Sequence, residues 1–176
     1  MKAYLPLALL ALLIAVHSAH GQGTVLLLDQ YSSLNESVAF GGSIIQQAPT
    51  PFGQSFTPTF SSIDFIRLNL NDALPGNGFG ATIYLTLHSG SISGPLLNST
   101  TPVFLPDSSS TITTFYFPES VALTPNDTYF FQVLTQPGSG WWSIVSGGYL
   151  YAGGSIFSGG FPLTTDLWFQ SHQQVC

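Results

Sequence analysis

Charged side chains are nearly missing from this chain. Only 6 % of its 176 residues are Asp, Glu, Lys or Arg, against about a quarter in ordinary soluble domains. The basic side chains are Lys2 and Arg67 alone, so no patch can neutralise a run of phosphates, and nucleic acid is excluded as a partner. A net charge of -6 argues equally against an anionic membrane surface. Cysteine occurs once, as the last residue, Cys176. A single thiol closes no intrachain disulfide and leaves no Cys/His spacing for zinc. It either pairs between molecules or marks a ragged end without a role, and the second reading is preferred.

Helical periodicity is also scarce. Outside the N-terminal apolar run, no stretch sustains apolar residues at i, i+3, i+4 and i+7. That run, Leu5 to Val16 behind Met1-Lys2, has the charge and length of a signal peptide. It falls short of the roughly 20 residues that span a bilayer. Residues 1–21 are therefore expected to form a signal peptide cut after Gly21, with Ala19 or Gly23 as alternative sites, leaving an exported chain with no stable membrane span.

What the chain has in quantity is apolar and aromatic residues, 44 % and 14 %, enough for a packed core at a length suited to one domain. Ile66, Leu68 and Leu70 alternate with Arg67, Asn69 and Asn71; Ile83, Leu85 and Leu87 alternate with Tyr84, Thr86 and His88. This period of two marks half-buried strands on a common core. Between them, Asn71 to Gly80 carries three glycines, a proline and asparagines that supply a long turn. Ile63 and Phe65 break the alternation, which points to a β-bulge.

Further strands are expected at Thr24–Gln30, Val38–Phe40, Ser43–Gln46, Gln54–Thr57, Leu96–Thr100 (an edge), Val103–Leu105, Thr111–Phe117, Val121–Leu123, Tyr129–Leu134 and Asp166–Phe169. Pro49 and Pro51 end the section that precedes Gln54. Turn signals every 8 to 12 residues or so predict an all-β chain folded as a two-sheet antiparallel β-sandwich or jelly roll. The sandwich spans residues 22–170, followed by a polar C-terminal tail at 171–176.

The order Gly-Gln-Ser-Phe-Thr-Pro58, Ser-Ile-Asp-Phe-Ile-Arg-Leu, Gly-Ala-Thr-Ile-Tyr-Leu, Gly-Pro-Leu-Leu-Asn-Ser-Thr100, Phe-Tyr-Phe117, Val-Ala-Leu-Thr-Pro125 and Asp-Leu-Trp-Phe169 resembles exported bacterial β-sandwich proteins of the PEP-CTERM-associated kind. The resemblance implies export and a sandwich like that of carbohydrate-binding and discoidin-like jelly rolls. It does not extend to the sorting signal: after Phe169 there is no Pro-Glu-Pro, apolar helix or terminal Arg cluster.

Catalytic constellations are thin. Beyond the signal segment only His88 and His172 could act as imidazole bases. Neither adjoins a Gly-x-Ser-x-Gly elbow, and His88 on the polar face of its strand reads as solvated. Of the eight acids, Asp72, Asp107 and Asp127 sit in turns, where carboxylates cap backbone donors. Asp64 is expected to pair with Arg67. Asn69, Asn71, Asp72 and Asn77 offer oxygens of the type calcium takes, yet ordinary turn chemistry accounts for the same residues, so no cofactor or metal is predicted. Asn35, Asn98 and Asn126 head Asn-x-Ser/Thr triplets that mark surface turns.

The best candidate is the glycine-rich aromatic tract from Gly138 to Gly160. Trp141, Trp142, Tyr149 and Tyr151 are taken as ligand-binding residues, because aromatic faces stack on sugar rings while nearby amides and hydroxyls complete recognition. If extended, Trp141 and Trp142 point to opposite faces, which sends one into the core. The expectation is a non-enzymatic, secreted or surface-associated module with polysaccharide or other matrix components as partners. The alternative is a structural protein that self-associates through strand edges; a hydrolase stands third.

Overall fold

The computed structural model describes residues 24–37, 42–45 and 51–175. The expected signal segment, the strand at Val38–Phe40, Pro49 and Cys176 lie outside the described residues. Among the described residues there is no helix.

Six strands make the first sheet: β1 (Val25–Tyr31), β2 (Ser43–Ile44), β4 (Ser62–Asp72), β8 (Ser110–Ala122), β10 (Trp142–Ile144) and β13 (Phe169–Val175). Seven make the second: β3 (Phe52–Phe56), β5 (Ala81–Ser89), β6 (Leu96–Ser99), β7 (Val103–Leu105), β9 (Tyr129–Thr135), β11 (Ile156–Ser158) and β12 (Phe161–Pro162). Every pairing is antiparallel, in the orders β1-β13-β4-β10-β2 and β12-β11-β3-β9-β5-β6. β8 lies along β4, and β7 shares the edge of β5 with β6. The two sheets pack face to face as a β-sandwich.

β4 organises the first sheet. Along one edge it pairs with β8 from Ser62 to Asn71; along the other, β13 takes Phe65 to Leu68 and β10 takes Leu70 to Asp72. After Asp72 the chain crosses to the second sheet through the predicted turn, so β4 and β5 meet through the core and not as a hairpin. Ile66, Leu68 and Leu70 from one layer and Ile83, Leu85 and Leu87 from the other are fully buried in a single cluster. At about 25 cal/mol per Å² of apolar surface, this burial is the chief stabilising term.

The bulge is where the alternation slips: the β4–β8 register shifts between Ile63 and Phe65. It sends Phe65 to the outer face, where its ring stacks on His172 at 4.5 Å and leans on Tyr116 at 5.0 Å. That outer face is covered by residues 32–37, which run across it as a strap. Trp168 Nε1 donates to Asn35 O at 2.8 Å, Gln170 Nε2 to Ser33 O at 3.2 Å, and Asn69 Nδ2 to Ser37 O at 3.2 Å. The strap explains how Asn69, Gln170 and His172 are buried on a face that would otherwise meet water.

Three expectations are corrected here. Residues 171–175 are no tail: they belong to β13, which sits between β1 and β4. Gln170-Ser-His-Gln-Gln lacks apolar alternation because its outward residues are polar: Gln170 bonds to the strap, His172 stacks on Phe65 and Gln174 is exposed. Arg67 pairs with Glu36 of the strap, while Asp64 accepts the Gln174 N–H at 2.6 Å. His88 is buried, its ring nitrogens bonded to Gly94 O and Thr86 Oγ1 at 2.9 Å each, so it pins the loop after β5.

The strap also carries a pH dependence. Burial, aided by the Arg67 charge, lowers the His172 pKa from 6.5, and the Arg67 bond lowers that of Glu36 from 4.5. The unfolded chain therefore binds both protons more readily than the folded one. Stability from His172 is complete above its unfolded value and lost as pH falls through and below it; stability from Glu36 is lost on further acidification. Denaturant midpoints measured from pH 8 to pH 3 are expected to fall in two stages, with His172→Phe abolishing the upper one. A flat profile between pH 8 and 5 refutes the assignment.

Candidate functional site

The aromatic tract does not build one platform. β10 sets Trp142 opposite Asp72 with its side chain in the core, 0 % exposed, and its Nε1 has no hydrogen-bond partner among the described residues. Trp142 is thus a core residue and presents no face to a ligand. Its neighbour Trp141, 43 % exposed, turns to the opposite side as extended backbone requires.

Tyr151 stands elsewhere. Its ring meets Phe169 edge-on at 5.2 Å, its hydroxyl donates to Gln30 Oε1 at 2.8 Å, and the same Tyr151 hydroxyl oxygen accepts the Thr57 N–H at 3.1 Å. Burial raises its pKa above the ordinary value of 10.0, so it remains a neutral phenol and acts as a strut. Tyr149 is half-buried on the loop between. Because Phe169 pairs with Leu68 and Trp142 with Asp72, Tyr151 and Trp141 are separated by about 13 Å along β4, at roughly 3.3 Å per residue.

Trp141 instead stands beside a groove of about 370 Å³ lined by Ile44, Asn71, Asp72, Ala73, Pro75 and Ser143, with Gly42 at its rim. The Ala73 N–H donates to Trp141 O at 2.8 Å, continuing the β4–β10 ladder by one residue. Ser143 pairs with Asn71 on one side and Ile44 on the other. Strand alternation then puts Trp141, Ser143 and Asn71 on one face of the first sheet. Asn71 Oδ1 accepts from Ser110 Oγ, and its buried Nδ2 has no acceptor among the described residues. A single amide is thereby half satisfied at the groove floor, a costly arrangement that an incoming oxygen could relieve.

The groove lip is shaped by two carboxylates. Asp72 accepts the Leu74 and Ser108 N–H groups, each at 2.8 Å. Asp107 accepts those of Gly76 at 2.9 Å and Gly78 at 2.8 Å. The Gly78 bond, then the Gly76 bond, holds the Asp107 carboxyl below its ordinary value of 3.8. Gly76 and Gly78 have φ of 84° and 82°, a left-handed backbone that lets both N–H groups converge on one side chain.

Asn77 Oδ1 accepts the Phe79 N–H at 2.7 Å. Thus Asp72, Asn71 and Asn77 direct oxygens into local hydrogen bonds, while Asn69 lies beneath the strap. These four do not converge on one point. Among the described residues no group of three or more His, Cys, Asp or Glu could hold a metal ion.

Sequence reasoning missed Asn71 and Ser143 as groove residues and Gln54 as a core residue. Gln54, opposite Phe131 and fully buried, faces inward between Phe52 and Phe56. Its Nε2 donates to Asp166 Oδ1 at 2.7 Å, and its Oε1 accepts the Leu167 N–H at 3.0 Å. It therefore ties β3 of the second sheet to the segment that leads into β13 of the first. A polar residue at an apolar position of the Phe52-x-Gln54-x-Phe56 pattern was the available signal. No protein-family model matches this chain. No curated protein matches it either.

Proposed function

We propose that the chain is a non-enzymatic, exported β-sandwich module that binds polysaccharide weakly through the groove beside Trp141. What carries this reading is one juxtaposition: an exposed indole on the same sheet face as a 370 Å³ groove whose floor holds an amide and a hydroxyl. An indole face stacks on the C–H face of a sugar ring, and amide and hydroxyl groups read its hydroxyls. Export is supported by the charge and length of the N-terminal apolar segment and by the resemblance to exported sandwiches. Low surface charge suits a neutral glycan, which gains nothing from ion pairing.

A polysaccharide array followed by calorimetry tests it. Trp141→Ala is expected to weaken binding about fivefold, the equivalent of about 1 kcal/mol of aromatic contact, and Tyr149→Ala to leave it unchanged. Equal affinity of the Trp141 variant and the parent chain refutes the site. A second reading, self-association, rests on β1: it is the edge strand of its sheet, and Val25, Leu26 and Leu27 on it are exposed. No glycan binding together with concentration-dependent oligomers in sedimentation favours that reading.

A further inference from the structure

A second cleft, of about 300 Å³, lies between residues 150–155 and 163–166, remote from the Trp141 groove. The two walls are tied by the Leu163 N–H to Ile156 O at 2.8 Å and the Ile156 N–H to Thr165 O at 3.0 Å. Asp166 closes one end and is only 4 % exposed. Each of its oxygens has one neutral donor, Gln54 Nε2 at 2.7 Å and the Tyr151 N–H at 2.8 Å, so acceptor capacity remains. Beside it, Thr165 Oγ1 is buried with no hydrogen-bond partner among the described residues.

Among the described residues no Lys or Arg balances this carboxylate. Arg67 is the one Lys or Arg among the described residues, and its guanidinium is held by Glu36 and Gln170 on the outer face of the first sheet. A carboxylate removed from water is costly unless a positive charge joins it. Two exposed leucines line the cleft, Leu150 at 90 % and Leu163 at 42 %, and give it an apolar wall.

We infer that this cleft binds a small organic cation, with an ammonium group against Asp166 and Thr165 and an apolar body between Leu150 and Leu163. The ammonium supplies the counter-charge that the protein lacks and a donor for the free hydroxyl. The apolar body covers the leucines. This inference is independent of the glycan site, whose groove shares no lining residue with this cleft.

The test titrates the full chain with hexylammonium and, separately, with hexanol, following backbone amide shifts by NMR. Hexylammonium is expected to saturate shifts confined to residues 150–155 and 163–166, binding about tenfold more tightly than hexanol because the hydrogen bond is charge-assisted. Asp166→Asn should bring the two ligands within about twofold of each other. Leu150→Ala, at an exposed position that folding does not depend on, should weaken hexylammonium about threefold. Equal affinity for the two ligands in the parent chain, shifts outside the cleft, or no saturation overturns the inference. So does an Asp166→Asn variant that folds and retains the preference; if that variant does not fold, an unchanged affinity in Leu150→Ala overturns it instead.

Discussion

Trp142→Ala is expected to destabilise the protein by about 3–5 kcal/mol, whereas Trp141→Ala should change stability by less than about 0.5 kcal/mol. The two residues are adjacent and chemically identical. Trp142 is fully buried in the cluster with Leu70 and Ile144, whereas Trp141 stands at the surface. Removing the buried indole forfeits its transfer free energy and leaves a cavity that two hydrogen-bonded sheets can only partly close. Natural domains have a total stability of about 5–15 kcal/mol, so the loss threatens the folded state itself. For a chain of this length the midpoint of thermal unfolding should drop by about 6–20 °C. Trp142→Phe should be milder, because it also removes the unpartnered buried Nε1 donor. Comparable melting temperatures for the two alanine variants would place the wrong tryptophan in the core.

Gln54→Leu is expected to cost a further class of energy, about 3–5 kcal/mol, although it replaces a polar buried side chain by an apolar one of similar size. Leucine would leave the Asp166 carboxylate with one donor fewer and the fully buried Leu167 N–H with no acceptor. Each stranded neutral group costs about 1–3 kcal/mol and a charged one more. Combining Gln54→Leu with Asp166→Leu should recover part of the loss, because the pair is then removed together. Urea unfolding of the four members of that cycle measures the coupling. Strict additivity would mean that the Gln54–Asp166 contact contributes nothing as a unit.

The alternation of Ile66, Leu68 and Leu70 against Arg67, Asn69 and Asn71 was legible because one face of β4 is purely apolar and the side-chain period of a strand is two. The slip at Phe65 was legible for the same reason, and it is the bulge found there. β13 escaped notice because its outward residues Gln170 and His172 are buried by hydrogen bonding and ring stacking, and these leave no hydropathy pattern. Gln54 escaped because a buried glutamine has a meaning only once its partner, 112 residues away, is known.

The candidate site divides in the same manner. That one of two neighbouring tryptophans must be internal follows from extended backbone alone; which one depends on β10 pairing with β4 so that Trp142 meets Asp72. The chain itself determines that the fold is all-β, that its core is aliphatic and aromatic, and that it carries almost no positive charge. Those properties are local or additive, so composition and short-range spacing suffice to read them. The Trp141 groove, the strap over the first sheet and the Asp166 cleft were decided by tertiary structure, because each joins residues far apart in the chain whose meeting depends on strand order and register.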